Sequence, residues 1–446
     1  MTSPASIGLR AAADGAVRAS VRTFEGRQAV TVRSTARPGA TVRHGDGDAI
    51  AAAAHAARQL RLPLVLELAS GGAEMADGVE ALHGWGIAAA ALSACSGVVP
   101  IVAVVTGPVV AGPVLLLGLA DLVVMLPGAV AFVSGPASVA QFTGVLLGRE
   151  ELGGVSVHAK DSGLCALEGD DVEAVVGELL AYLPPHADEE PPLAANSDPP
   201  DREVPELRTM VPVEEHLSYD MRSVAAAVVD RAEILELWPR WAPQLVTGLA
   251  RLDGRPVGVV ANQPRTLAGT IDIAASQKGA RFVRFCDAFN LPLVTLVDTP
   301  GFLPGKDLEW RGMIRYGAEL AFAYAEATVP RVCVIVRKAF GGAYIVMDSK
   351  GLGNDLCLAW PGAEVAVMGA TGAVQILGRR SSGAEREQLV ERYRQEIQTP
   401  WPAAERGFVD AVIDPKDTRR ALTGALGALA AKREHLVGRK HDSGPL

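Results

Sequence analysis

Five cysteines in 446 residues are too few for a disulfide framework. Cys95, Cys165, Cys286, Cys333 and Cys357 are scattered, form no CxxC pair and have mostly apolar neighbours. They read as reduced core thiols of a cytosolic protein, and neither a structural zinc site nor any other metal is expected. Positive charge is also in deficit: 42 Lys and Arg face 51 Asp and Glu, for a net charge of -9. No basic patch forms, which excludes a general nucleic-acid binder. The first residues, MTSPASIGLRAAADG, hold no apolar core segment, so no secretory signal is expected. One stretch, Ile101 to Pro127, is almost long and apolar enough to suggest a membrane span. Gly107-Pro108, Gly112-Pro113 and Asp121 interrupt it, so it reads as a buried strand, a turn and a buried helix. No GxSxG elbow is present, which argues against Ser-His-Asp hydrolysis. Asp298-Thr299-Pro300-Gly301 resembles a GTPase DxxG element. However, Gly301 to Lys306 is one residue short of a P-loop, and Asp307 stands where a Ser or Thr should bind Mg²⁺.

What remains is an ordinary soluble composition, 49% apolar and 21% charged, in a chain long enough for two cores. Short strands are expected on both sides of Gly26-Arg27, then a helix over Ala49–Gln59 and a strand over Leu62–Leu68. A helix over Val79–Ser93, a strand over Ile101–Val105 and another over Ala129–Val133 follow. Leu180 to Pro205 is rich in Pro and acid and reads as a linker. Beyond it, Leu245–Leu252 and Val257–Ala261 flank Asp253-Gly254, a hairpin signal. Helices are expected near Val224–Arg231, Ser276–Phe289, Met313–Ala325 and Ala384–Gln398, and strands over Leu291–Val297, Val332–Val336 and Ala363–Met368. Residues 406–413 and an Ala/Leu-rich helix close the chain.

The stretch that organises the chain is VPRVCVIVRKAFGGAYIVM, Val329 to Met347. A buried strand runs into Gly341-Gly342 and a helix opens just after. Unpaired N–H groups at such a corner can hold an anion, or an oxygen that becomes anionic in a transition state. The plain alternative is a turn where two backbones approach closely. The pattern occurs twice. LPLV begins at Leu62 and at Leu291, and Val-Pro at Val99 and Val329. Pro100 to Gly112 spans 12 positions, as does Pro330 to Gly342; Pro127 to Gly135 and Pro361 to Gly369 both span 8. The mismatch, 15 against 19 positions between Gly112–Pro127 and Gly342–Pro361, places an insertion near Ser349–Asn354. The spacing predicts a duplicated α/β unit with two anion-stabilising corners, suited to a reaction with two oxyanions.

Residues 245–378 carry ANQPRTLAG, QKGARFVRFCDAFNLPLVTLVDTPGFLPG, EATVPRVCVIVRKAFGGAYIVM and WPGAEVAVMGATGAV. These stretches closely resemble the carboxyltransferase (β) subunit of biotin-dependent acyl-CoA carboxylases. Residues 60–183 resemble the first half of that family more weakly, through SGGA, a GP-containing turn, SGP, ELGG and SGLC. The resemblance implies duplicated crotonase-like (ClpP/crotonase) α/β domains. These are 1–183 on the acyl-CoA side and 207–446 on the biotin side, joined by a linker over 184–206. It implies a homo- or hetero-hexamer, with active sites between the first half of one chain and the second half of another. The implied chemistry moves CO2 from carboxybiotin to the enolate of an acyl thioester, so two oxyanions must be held. The N–H groups of Gly342 and Ala343 would face the biotin ureido oxygen, and the corner at Ala111-Gly112 the thioester carbonyl. Gly341, Tyr344 and Ile345, with Gly71, Gly72, Gly135 and Pro136, complete the implied substrate-binding set. Ile345 matches an acyl-pocket position and suits a short or apolar acyl chain. No lysine sits between methionines, so biotin must be carried by a biotin carboxylase/biotin carrier partner.

Three departures from the family pattern concern the acyl half and one helix. Ala111-Gly112-Pro113 replaces Gly-Gly-Ala, and Pro113 has no N–H to give. Ser70-Gly71-Gly72-Ala73-Glu74 replaces SGGAR, so an arginine has become an acid, which would repel CoA phosphates lying near it. Gly317-Ala318-Glu319-Leu320 replaces GAKL. The expectation is therefore an unaltered biotin half and an altered acyl half. A catalytically weak subunit assembled with an active paralogue, or a carboxyacyl-CoA decarboxylase, are the alternatives.

Overall fold

A computed structural model describes residues 7–11, 16–34, 40–432, 434–440 and 442–445. Most of the N-terminal stretch read for a secretory signal lies outside the described residues. The chain forms two compact units. The first comprises residues 1–192 with 238–241 and 288–290; the second comprises the remainder.

The first unit is built on one sheet: β1 Ile7–Ala11, β2 Val17–Phe24, β3 Arg27–Ser34, β4 Leu64–Ser70, β5 Ile101–Val110, β6 Leu122–Met125, β7 Val130–Phe132 and β8 Leu167–Glu168. The order is β1-β2-β3-β4-β5-β6-β8, with β7 also paired to β5. The β2–β3 hairpin turns through Glu25 and Gly26, both at positive φ, the turn whose twist matches paired strands. From β3 onward every pairing is parallel. Strands buried on both faces carry near-continuous apolar runs, which is why β4 and the first half of β5 read so clearly.

The second unit repeats this plan strand for strand. Its members are β9 Ile234–Leu237, β10 Leu245–Leu252, β11 Arg255–Asn262, β12 Leu293–Thr299, β13 Arg331–Phe340, β14 Leu356–Ala359, β15 Glu364–Ala366 and β16 Ala411–Val412. They are ordered β9-β10-β11-β12-β13-β14-β16, with β15 on β13. Asp253 (φ 53°) and Gly254 (φ 73°) make the hairpin turn expected between β10 and β11. All seven residues of β12 are buried. The extra residues near Ser349–Asn354 form a short 3-10 turn, Lys350–Leu352, between β13 and β14.

One expectation needs correction. Ile101–Pro127 is not strand, turn and helix. Strand β5 continues through Gly107-Pro108 to Val110; a 3-10 segment, Gly112–Leu119, follows; and Leu122–Met125 is strand β6. A short apolar run suits a buried strand as well as a buried helix, so periodicity alone cannot choose between them. Among the described residues no helix is long and apolar enough to cross a membrane. All five cysteines are buried and free.

In the first unit, helices His44–Leu60 and Val79–Ser93 pack so closely that a Cβ on Gly47 would lie 2.0 Å from the Gly84 carbonyl oxygen. The Ala-rich face of the first helix permits that approach. Gly47→Ala is expected to destabilise the protein by about 2–3 kcal/mol, because backbone must move to admit one methyl. Denaturant titration checks this; an unchanged midpoint would show that the helices can separate freely.

Candidate active site: two strand-to-helix corners

Each unit turns from its long central strand into a helical segment, and the two turns match in detail. Leaving β5, Ala111 has φ 59°; leaving β13, Gly341 has φ 60°. Gly112–Leu119 follows the first and the helix Gly341–Val346 the second. The neighbouring loops also match. Ser70 Oγ accepts from Gly72 N at 3.1 Å, and Thr299 Oγ1 from Gly301 N at 3.4 Å. Gly72 and Gly301 both have positive φ. Val42 N donates to Gly72 O and Ile271 N to Gly301 O, at 2.7 and 3.2 Å. Val42 bridges Ala73, and Ile271 bridges Phe302. The duplication thus extends to single hydrogen bonds around both corners.

The corners differ in what they can donate. In the first, the Ala111 N–H is already bonded to Phe132 O at 3.1 Å, and Pro113 has no N–H. Gly112 keeps the only donor of the three residues Ala111–Pro113. In the second, Gly342 and Ala343 sit in the first turn of a helix, where backbone N–H groups have no intrahelical acceptor. Ala111 is also in a conformation that favours glycine, with ψ -151°. Such a backbone costs a side-chain-bearing residue on the order of 1–3 kcal/mol.

The expected substrate-binding residues divide between the corners. Gly72 packs on Ala111, since a Cβ there would lie 3.3 Å from the Ala111 Cβ; Gly71 precedes it in the same loop. Gly135 caps the helix Pro136–Thr143 beside Phe132, the residue that accepts from Ala111. At the second corner a Cβ on Gly342 would lie 3.3 Å from the Phe302 ring. Tyr344 is buried, and burial pushes its phenol pKa up. Ile345 is 44% exposed, available to a ligand rather than committed to the core. Glu74 has local work: its carboxylate caps Ala76 N at 3.1 Å and accepts from Thr41 Oγ1 at 2.5 Å, which lowers its pKa. Among the described residues no group of three acidic, His or Cys side chains could hold a metal.

Sequence reasoning missed a buried polar group behind the second corner. Asp298, at the end of β12, accepts from Tyr219 Oη (2.8 Å), Arg337 Nε (3.0 Å) and Lys338 N (3.1 Å). Burial pushes its pKa up against the pull of Arg337. The signal was present: an acid closing the apolar run LPLVTLVD, and Arg-Lys interrupting VCVIVRKAF. Beside the corner's helix, a buried ion pair joins Arg331, the first residue of β13, through Nη1 to Asp348 Oδ1 at 2.8 Å. Arg331 Nη2 also reaches Gly353 O at 2.6 Å.

Two outcomes follow from this geometry. Ala111→Gly is expected to stabilise the protein by about 1 kcal/mol by relieving the positive-φ strain; thermal unfolding that shows a loss would contradict it. Burial raises the Asp348 carboxyl to about 6, above its unfolded value, so the folded state holds the extra proton between those pKa values. The stability contribution of Asp348 is therefore present in acid and lost as pH rises through about 6. Measured from pH 4 to 7, wild type should lose stability relative to Asp348→Asn. The opposite slope would mean that Arg331 holds the carboxylate ionised.

Comparison with known proteins identifies the family. The sequence matches the carboxyl transferase domain family over residues 10–443. It is 43% identical over 394 residues to methylmalonyl-CoA decarboxylase subunit alpha of Veillonella parvula, covering 87% of this chain and 77% of that protein. It is 45% identical over 381 residues to the mitochondrial propionyl-CoA carboxylase beta chain of Homo sapiens, covering 84% and 70%. The solved transcarboxylase 12S hexamer with hydrolyzed methylmalonyl-coenzyme A bound is similar at TM-score 0.95 and 37% identity, covering 100% of this chain and 90% of that one. The chain belongs to the carboxyl transferase family.

Proposed function

We propose that the chain is the carboxyltransferase subunit of a biotin-dependent acyl-CoA carboxylase, moving CO2 from carboxybiotin on a partner carrier to the α-carbon of an acyl-CoA. The observation that carries this reading is the pair of matched strand-to-helix corners, one in each of two units with the same strand order. Each unit is then a crotonase-like domain: 1–183 on the acyl side, 184–206 as linker and 207–446 on the biotin side. The assembly is a homo- or hetero-hexamer served by a biotin carboxylase/biotin carrier subunit, in the cytoplasm.

The second corner fits a flat, polar ring. Gly342 leaves open the space beside Phe302 that a Cβ would crowd. Gly342 N and Ala343 N would hold the ureido oxygen, with Gly341 at positive φ turning both donors the same way. Biotin bound there supplies the CO2 and the base for the α-proton. In the first unit Gly112 N would hold the thioester oxygen as the enolate forms, Gly71 and Gly72 lining the approach and Gly135-Pro136 the far side. Ile345 offers the acyl chain an apolar contact, which suits a short or apolar acyl group. The work of the protein is to position the partners and hold two oxyanions.

The acyl corner offers one N–H where the biotin corner offers two. Removing one oxyanion-hole donor costs about 10²–10³ in rate, so enolate formation is the slow step. A second reading, decarboxylation of a carboxyacyl-CoA, is favoured by the likeness to the Veillonella decarboxylase subunit and uses the same enolate.

Purified protein, a biotinylated carrier with its carboxylase, ATP and labelled bicarbonate test the reading. Label in acetyl-, propionyl- or longer acyl-CoA is expected. No label, with biotin still carboxylated and the complex formed, would overturn it. Loss of label from carboxyacyl-CoA alone would select the decarboxylase. Pro113→Ala returns an N–H to the acyl corner and should raise kcat about tenfold or more; an unchanged kcat would show that this corner does not hold the thioester oxygen.

A further inference from the structure

The central strand pair of each unit slips register at the same place. In the second unit Val297 pairs with Ile335, and the next pair is Thr299 with Ala339. One residue of β12, Asp298, thus faces three of β13, Val336 to Lys338. In the first unit Leu68 pairs with Val105, then Ser70 with Val109, so Ala69 faces Thr106 to Pro108. A bulge of this kind leaves a backbone group without its ladder partner, and a buried one must be satisfied.

The two units meet that demand differently. In the first, the position matching Lys338 is Pro108, which has no N–H to satisfy. In the second, Lys338 keeps its N–H, and Asp298 Oδ1 accepts it at 3.1 Å. Satisfying that amide needs only one oxygen. The other, Oδ2, takes Arg337 Nε and Tyr219 Oη. Arg337 then reaches Leu217 O at 2.8 Å, and its guanidinium lies 4.9 Å from the Tyr219 ring centre. Lys338 Nζ reaches Glu215 O at 3.0 Å. The segment 215–219 is thereby fastened to the last turn of strand before Gly341. Nothing in the first unit's Ala69 and Gly107 can do this.

We infer that Asp298, with Arg337 and Tyr219, is the positioning group of the Gly342–Ala343 corner, a device the acyl corner lacks. It touches no substrate. It fixes the strand residues immediately before the two donors, so that both N–H groups are held before an oxyanion forms. This rests on the carboxyltransferase reading for which ligand is held, but not for the positioning itself.

The test compares Asp298→Asn with the transplant Asp298→Ala/Lys338→Pro, which copies the first unit's bulge, and with Lys338→Met as control for the Glu215 contact. Amide hydrogen exchange over 341–347 is read in the full chain, with KM for free biotin and for acyl-CoA. Asp298→Asn should speed exchange about tenfold or more and lower kcat about 10²-fold with a raised KM for biotin. KM for acyl-CoA should stay within about twofold. The transplant should refold the bulge and restore melting temperature, yet leave exchange fast and the biotin KM high. Recovery of both by the transplant would overturn the inference, reducing Asp298 to the partner of one amide. So would unchanged exchange in Asp298→Asn. If wild type transfers no carboxyl group, exchange alone decides: a tenfold rise in Asp298→Asn and in the transplant supports positioning while the carboxyltransferase reading fails.

Discussion

Everything at the candidate site depends on one register slip between parallel strands. A strand that runs true would end with its carbonyls and amides spent in the ladder. By placing one residue of β4 or β12 against three of its neighbour, the fold shifts the end of β5 or β13 onto a new partner strand, β7 or β15. It then sends that strand through a positive-φ residue into a helical turn. Donors that a sheet would consume become free. The remaining features, namely the Gly72 and Gly301 loops, the bridges to Val42 and Ile271, and the short helical segments, hold that shifted strand end in place.

Duplication followed by divergence gives the two corners different electrostatic strength. The second keeps glycine at positive φ, two helix-start donors and a buried carboxylate behind them. The first has an alanine strained at the same φ, a proline in place of a donor, and a proline where the bulge would otherwise need an acid. Of these, Pro113 leaves the first corner one donor where the second has two.

Much of this was legible in the sequence because the informative residues lie at fixed spacings. Gly112 and Gly342, Pro63 and Pro292, and Asp253-Gly254 each report a backbone requirement. The apolar runs of β4, β12 and β13 are what strands buried on both faces must look like. The segment after Gly112 misled because Val114–Ala120 and Leu122–Leu126 are short apolar runs on either side of Asp121, with no period to read. Nothing in the sequence signalled that Glu74 has local partners: its carboxylate caps Ala76 and accepts from Thr41. Asp298 stood out as an acid closing an apolar run, but its role did not, because its partner Tyr219 lies 79 positions away and no local pattern announces a contact at that distance.

Binding of a stable analogue of the enolate tests the account most directly. A nitronate analogue of the acyl-CoA carries negative charge where the thioester oxygen would, and calorimetry gives its affinity relative to the unreacted thioester. With one N–H at the acyl corner, the account predicts a gain of about tenfold or less in wild type, rising by about 10² when Pro113 is replaced by Ala. A nitronate bound about 10³-fold more tightly by wild type itself would contradict the claim that the acyl corner is the weaker one.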